Sequence, residues 1–270
     1  MERDLRDLSP ATRWIARRIE VFDAVDSTNL IGERLLREGA PDGTLVIADS
    51  QTAGRGRLGR SFFSPAGRSL YMSVLLRPEM PADRLHRHVF AAAVAVADCA
   101  AAILPPRVTV EIKWPNDVLL DGRKTSGINL PAQMDGERIS GAVLGIGINV
   151  NNRPQEFPHE LRETATSLYA AGGAELDRIS VAESLLRQLE HWLDQLRAER
   201  FEDVLRAWRA RFRWTGRRVR VGGPGVARPF EGRVIGIDAE GALLLETAAG
   251  AQRVLAGDVS LAPDTPPEGP

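Results

Sequence analysis

Thr44-Leu45-Val46-Ile47-Ala48-Asp49 reads as a short buried strand, and it runs into the loop Gly54-Arg55-Gly56-Arg57-Leu58-Gly59-Arg60. Two familiar patterns match that loop. Gly54-x-Gly56-x-x-Gly59 fits the dinucleotide fingerprint, and Gly54 to Ser61 lies one residue from a P-loop. Both patterns work only where a helix opens at the loop's end, so that its N–H groups and dipole receive a phosphate. Here Ser61-Phe62-Phe63-Ser64-Pro65-Ala66-Gly67 follows, and Pro65 and Gly67 oppose a sustained helix. A Rossmann or P-loop architecture is therefore set aside. The loop's physical content remains: glycines let the backbone approach a ligand, and Arg55, Arg57 and Arg60 offer planar forks suited to carboxylates and phosphates. A solvated arginine loop and a short RNA-binding segment are the alternatives to that reading.

Upstream, Val21 to Val25 alternates like a strand, and Asp26-Ser27-Thr28-Asn29 supplies several N-cap candidates for a helix carrying Leu30, Ile31, Leu35 and Leu36. Downstream, Leu70 to Arg77 reads as a strand and Leu85 to Leu104 as an alanine-rich buried helix of about five turns. Beyond Pro106 the period becomes two: Val108, Val110, Ile112 and Trp114 share a face, with Lys113 on the other, and Trp114-Pro115 closes the strand with Asn116 in a turn. Val118 to Leu120, Asp121-Gly122 and the residues from Lys124 suggest a hairpin, and Ile139 to Val150 is a glycine-rich apolar strand. Ser180 with Glu183 predicts a capping box on a helix whose buried side carries Ile179, Leu186, Leu189 and Leu193; a further helix carries Phe201, Leu205, Trp208 and Phe212. This irregular order favours an α/β (α+β) fold with a mixed β-sheet and packed helices. From Gly216, short strands separated by glycine turns predict a small β-barrel of about 45 residues, near the lower limit for independent folding. The expected division is a catalytic domain over 1–213, the barrel over 214–262 and a proline-rich tail over 263–270.

The 270 residues carry 35 Lys+Arg against 36 Asp+Glu, so the net charge of -1 argues against a surface that tracks nucleic acid as a whole. The single Cys99 excludes an internal disulfide and reads as core packing, which points to a reducing, cytoplasmic compartment. No run approaches the roughly 18 consecutive apolar residues of a membrane span, so no membrane association is expected. His86, His88, His159 and His191 lack ligand spacing, and no metal site is predicted. Trp192, Trp208 and Trp214 read as helix anchors in the core.

Seven ordered runs resemble the biotin protein ligase family. They are Asp26 to Asn29, Gln51 to Arg60, Ser69 to Ser73, Lys113 to Asp117, Arg123 to Ile128, Gly145 to Asn151 and Ala165 to Leu168. The C-terminal Gly241 to Leu245 and Gly257 to Leu261 resemble that family's terminal barrel. The resemblance implies a sheet related to class II aminoacyl-tRNA synthetases followed by an SH3-like barrel. It implies ATP and biotin as substrates with Mg²⁺, biotinyl-5'-AMP as intermediate, and transfer to a lysine of the biotin carboxyl carrier domain of an acyl-CoA carboxylase. Carried over by position, Ser27, Thr28, Asn29 and Gln51 would line the biotin pocket, and Arg55, Gly56 and Arg57 would close over it. Arg60 would face phosphate. Lys124 would sit between the biotin carboxylate and the α-phosphate, making Lys124 and Arg57 the expected catalytic pair. Arg57, Arg60, Lys113, Asn116, Lys124 and Asn149 would serve the nucleotide.

For Ser27 to Asn29, helix capping alone is the competing explanation. The sequence departs from the family at Phe62, where tryptophan is common, and at Asn129-Leu130-Pro131, where Pro131 interrupts the strand and leaves the register after Ile128 open. About 20 residues precede the first strand, too few for a winged helix-turn-helix, so a monofunctional ligase without DNA binding, a monomer or weak homodimer, is expected. A lipoate-type ligase and a non-catalytic biotinyl-adenylate sensor are the rival functions.

Overall fold

The computed structural model describes residues 4–223, 226 and 228–262, so the expected tail over 263–270 lies outside the described residues. The strands of the larger part are β1 (Ile19–Val25), β2 (Leu45–Gln51), β3 (Ser69–Leu76), β4 (Val110–Lys113), β5 (Asp117–Leu120), β6 (Arg123–Asn129), β7 (Ala132–Asp135) and β8 (Arg138–Asn149). They form one mixed sheet in the order β1-β2-β3-β8-β6-β5-β4, with β7 paired to β8. Only β1 and β2 run parallel among these pairs; the rest are antiparallel. The helices are α1 (Thr28–Arg37), α2 (Arg87–Ile103), α3 (Leu168–Gly172), α4 (Arg178–Arg197) and α5 (Phe201–Arg209).

The sheet is covered on both faces, and strand alternation decides which side chains go where. Val46, Leu75 and Val143 pack with Leu35 and Leu36 of α1. Their neighbours Leu45, Ile47, Val74, Leu76 and Leu144 point the other way, into the main core with α2, α4 and α5. Every residue of β3 is consequently buried. By length and composition the segment Ala82–Ile103 passes for a membrane-crossing helix, but Phe90 to Ala97 are buried in this core, where alanines let α2 lie close to its neighbours. Cys99 is buried there as expected.

Several local expectations change. The helix expected from Ser180 starts earlier: Asp177 is its N-cap and accepts hydrogen bonds from the Ile179 and Ser180 N–H groups, both at 3.3 Å. A carboxylate competes better for those donors than a hydroxyl, and Ser180 donates its own hydroxyl to Asp177. Phe212 lies beyond the end of α5, yet it stacks on Trp208 at 5.0 Å. Trp214 also lies outside any helix, buried beside Lys113. Pro131 falls between β6 and β7, but the chain stays along β8 in one register, Asn129 opposite Gly145 and Ala132 opposite Ala142, and Pro131 O accepts the Val143 N–H at 2.9 Å.

The C-terminal strands are β9 (Arg218–Gly222), β10 (Phe230–Ile237), β11 (Leu243–Thr247), β12 (Gly250–Val254) and β13 (Asp258–Leu261). They form an antiparallel sheet in the order β12-β11-β10-β9-β13. The expected closed barrel is not formed: no pairing joins β12 to β13 among the described residues. Val219, Val221, Leu243 and Leu245 are buried in the same core as the larger part. Trp114 donates its indole N–H to Gly241 O at 3.0 Å, and Arg209 reaches Ile237 O and Asp238 O at 2.9 and 2.8 Å.

The N-terminal segment is fastened to α4 by the buried Glu190 carboxylate and by Asp194, which accepts the Trp14 indole N–H at 2.9 Å. Glu190 of α4 accepts the backbone N–H groups of Arg13, Trp14 and Ile15 at 2.8, 2.8 and 3.1 Å. Burial pushes its carboxyl up, but these donors outweigh burial and hold it below its ordinary value of 4.5. A depressed folded value contributes stability that is present above about pH 4.5 and is lost as pH falls through the folded value. Glu190→Gln keeps the shape and loses the charge. It is expected to destabilise by about 1–3 kcal/mol and to flatten the acid limb of the stability curve, as measured by denaturant titration at several pH values. An unchanged acid limb would contradict the clamp.

Candidate active site

The strand-to-helix turn after β1, the 54–62 loop after β2, and the glycine-rich middle of β8 meet over the sheet and enclose a cavity. Ser27, Thr28, Asn29, Gln51, Arg55, Gly56, Arg57, Asn116 and Lys124 all line it, as do Phe62, Tyr71, Gly127, Asn129, Gly145 and Gly147. Thus nine of the twelve residues expected at the site face one hollow. Arg60, Lys113 and Asn149 are not in its lining.

One end of the cavity is a buried polar network. Ser27 occupies the N-cap position of α1 but makes no side-chain capping bond, so the capping explanation does not account for it. Thr28 donates its backbone N–H to Gln51 Oε1 at 2.9 Å, and Gln51 Nε2 donates to Ser64 Oγ at 3.0 Å. Ser73 Oγ lies 2.8 Å from Thr28 Oγ1 and 2.7 Å from Asn29 Oδ1. Ser27, Thr28, Asn29 and Ser73 are all buried. The sequence reading missed Ser73 because its neighbours on β3 are apolar; a polar residue inside an all-buried strand was the available signal.

The glycines of β8 make the hollow. A Cβ at Gly147 would lie 2.7 Å from Phe62 Cε1, and one at Gly145 would collide with the Asn29 carboxamide. Phe62 forms an aromatic wall, edge-on to Tyr71 at 6.4 Å between centroids. The sequence signal was the alternation Gly145-Ile146-Gly147, which places both glycines on one face.

The other end is cationic. Arg57 Nη1 crosses to Asn116 Oδ1 at 2.9 Å, and Asn116 Nδ2 donates to Ile128 O at 2.9 Å. Lys124 Nζ sits 2.7 Å from Asp117 Oδ1. Arg60 instead pairs with Asp258 of β13 at 2.6 Å, which ties the loop to the C-terminal sheet. Lys113 lies 5.3 Å from the Trp214 ring. Burial pulls both Arg57 and Lys113 below their ordinary values, while Asp117 and Asp258 act in the opposite direction on each. Two carboxylates therefore face a larger set of cations, an arrangement that favours an incoming anion. Asp117 and Asp258 lie in runs quoted above but carry no assigned role there; Asp117 meets Lys124 across neighbouring hairpin strands, and Asp258 arrives by long-range pairing. Asn149 spends its amide N–H on Thr166 O at 2.9 Å. Among the described residues no group of three His, Cys, Asp or Glu could hold a metal ion.

A mixed sheet carrying a cavity with one polar and one cationic end, roofed by a glycine- and arginine-rich loop and followed by a small antiparallel sheet, defines the class of biotin and lipoate protein ligases. The profile described as the Biotin/lipoate A/B protein ligase family matches residues 40–210, and the Biotin protein ligase C terminal domain matches 215–262. The chain belongs to this family. It is 36% identical over 264 residues to a Biotin--[acetyl-CoA-carboxylase] ligase of Mycobacterium tuberculosis, covering 96% of this chain and 94% of that protein. It is 37% identical over 253 residues to the Bifunctional ligase/repressor BirA of Bacillus subtilis, covering 93% and 76% respectively. A solved biotin protein ligase from Aquifex aeolicus, in complex with biotin and ATP, superposes with a TM-score of 0.77 at 31% identity, covering 91% of this chain and 99% of that one.

Proposed function

We propose that the protein is an ATP-dependent biotin–protein ligase. The observation that carries this reading is that Arg57 and Lys124, from distant segments, share one cavity with the polar trio Ser27, Thr28 and Asn29. Biotin's carboxylate attacks the α-phosphorus of ATP, the bond to the β-phosphate breaks, and pyrophosphate leaves. The ε-amine of a carrier lysine then attacks the acyl carbonyl of biotinyl-5'-AMP, forming the amide, expelling AMP and losing a proton to solvent. The substrates supply both nucleophiles, so the chain's task is to hold two repelling anions together.

In this reading the polar network around Ser27, Thr28, Asn29 and Gln51 takes the ureido ring, and Phe62 walls the cavity. Arg55, Gly56 and Arg57 cover the ligand. Lys124 exchanges Asp117 for the biotin carboxylate and the α-phosphate, and Arg60 exchanges Asp258 for the outer phosphates. Lys113 supplies longer-range positive potential, while Asn116 supports the nucleotide side. Asn149, whose N–H is engaged, offers its carbonyl oxygen to the nucleotide. Mg²⁺ enters on ATP as part of the substrate, a mode that needs only one or two protein carboxylates; Asp117, beside Lys124, fits that part.

We assign catalysis to residues 1–213 and a supporting role to the sheet over 214–262, with the 54–60 loop docked on it through Arg60. The partner is taken to be a biotin carboxyl carrier domain of an acyl-CoA carboxylase, and the protein to act in the cytoplasm as a monomer or weak homodimer. The test is incubation with ATP, Mg²⁺, biotin and a carrier domain, followed by mass spectrometry of the carrier. ATP-dependent gain of one biotinyl group on its lysine is expected, and its absence would sink the reading. Substituting lipoate separates the lipoate-ligase alternative, and biotinyl-AMP binding without pyrophosphate release would indicate a sensor.

A further inference from the structure

Lys124 occupies a place in β6 where the sheet has run out of strands. On one side it pairs with Leu119 of β5. On the other, β8 accompanies β6 only from Ser126 to Asn129. Beyond Asn149 the chain turns away, which leaves the backbone of Lys124 without a ladder partner from β8. The gap is filled by residues 164–166, which form an isolated parallel bridge at Ala165. Lys124 N–H donates to Thr164 O and Thr166 N–H donates to Lys124 O, each at 2.8 Å.

That short segment is in turn strapped at its C-terminal end by Ser167, which is fully buried. Ser167 Oγ donates to Asn152 O at 2.6 Å and accepts the Ala170 N–H at 3.0 Å, capping α3. Asn149 Nδ2 holds Thr166 O from the same side. By contrast, the Lys124 side chain is 38% exposed and pairs with Asp117. The ammonium group lies over Gly127, and where it stands depends on the peptide that carries it. Ser167 does not line the cavity.

We propose that Ser167 is a positioning residue for the adenylation step, acting through Thr166 on the backbone of Lys124. The inference rests on the ligase reading above, because Lys124 is taken to act on the reacting groups. Displacement of a reacting group by about 1 Å can cost on the order of 100-fold in rate. Ser167→Ala is therefore expected to lower kcat for biotin-dependent ATP–pyrophosphate exchange by about 10- to 100-fold, with KM for biotin and for ATP nearly unchanged. Ser167→Thr, which keeps the hydroxyl, is expected to recover most of the rate. Hydrogen exchange at the Lys124 and Thr166 amides is expected to accelerate in Ser167→Ala and not in Ser167→Thr.

Ser167→Gly guards against misfolding, since glycine substitutes for serine at an N-cap with little loss of helix stability. It is expected to show the same kcat loss and the same exposed amides as Ser167→Ala. A rise in KM at unchanged kcat, or wild-type protection of both amides in the Ala and Gly variants, would overturn the proposal. Were the wild-type protein to catalyse no exchange at all, the ligase reading would fail, while amide protection would still report whether Ser167 straps Lys124.

Discussion

Lys124→Ala is expected to reduce biotin-dependent pyrophosphate release by about 100- to 1,000-fold, the usual effect of deleting one preorganised group that faces developing charge. The protein should stay folded. The two ladder bonds at Lys124 are made by its backbone and survive truncation of the side chain. The side chain's ion pair with Asp117 is partly solvated, and such pairs contribute about 1 kcal/mol or less. Asp117 is not left isolated, because Lys113 is its cross-strand partner on the β4–β5 hairpin. Lys124→Arg is not expected to restore the rate, since a planar fork on a longer stem cannot occupy the place of a compact ammonium. Pyrophosphate release at the wild-type rate in Lys124→Ala, with an unchanged circular dichroism spectrum, would remove Lys124 from the reaction.

The contrast between Lys124 and its surroundings shows what could be read from the chain alone. Its strand, the preceding hairpin and the Gly54 to Arg60 loop were visible as local patterns, because hydrophobic period and turn chemistry are encoded within a few residues. So was the failure of the loop to open a helix, which excluded two wrong architectures. Ser27 to Asn29 were ambiguous, since N-caps and polar ligands use the same residue types; only the missing capping bond of Ser27 separates the two. Asp258 and Ser73 carried no assigned role because each acquires its meaning from a contact distant in sequence. Ser180 was misread because its hydroxyl and the Asp177 carboxylate compete for the same helix start, and position alone does not rank them. Closure of the C-terminal strands into a barrel was likewise not decidable from strand count, as closure depends on whether the first and last strands of the order meet.

Arg57→Ala is expected to uncouple the two half-reactions. Arg57 reaches across the cavity to Asn116. Its guanidinium lines the same hollow as Lys124 and is placed to close over a bound ligand. The loop is further held by Gly56 N–H to Arg60 O at 2.7 Å, Arg60 N–H to Arg57 O at 3.2 Å, Phe62 N–H to Gly54 O at 2.9 Å and the Arg60–Asp258 pair. Losing a hydrogen bond to a charged group costs about 1.5–3 kcal/mol, which corresponds to about 10- to 100-fold faster escape of the adenylate. Water then reaches a reactive mixed anhydride that the closed loop excludes. Because Lys124 stays in place, the first step persists, so the variant should keep consuming ATP while labelling less carrier. The measurement is the ratio of AMP formed to carrier biotinylated, together with the rate at which prebound biotinyl-AMP is released. A ratio of one and wild-type retention of the adenylate would show that Arg57 does not close the loop.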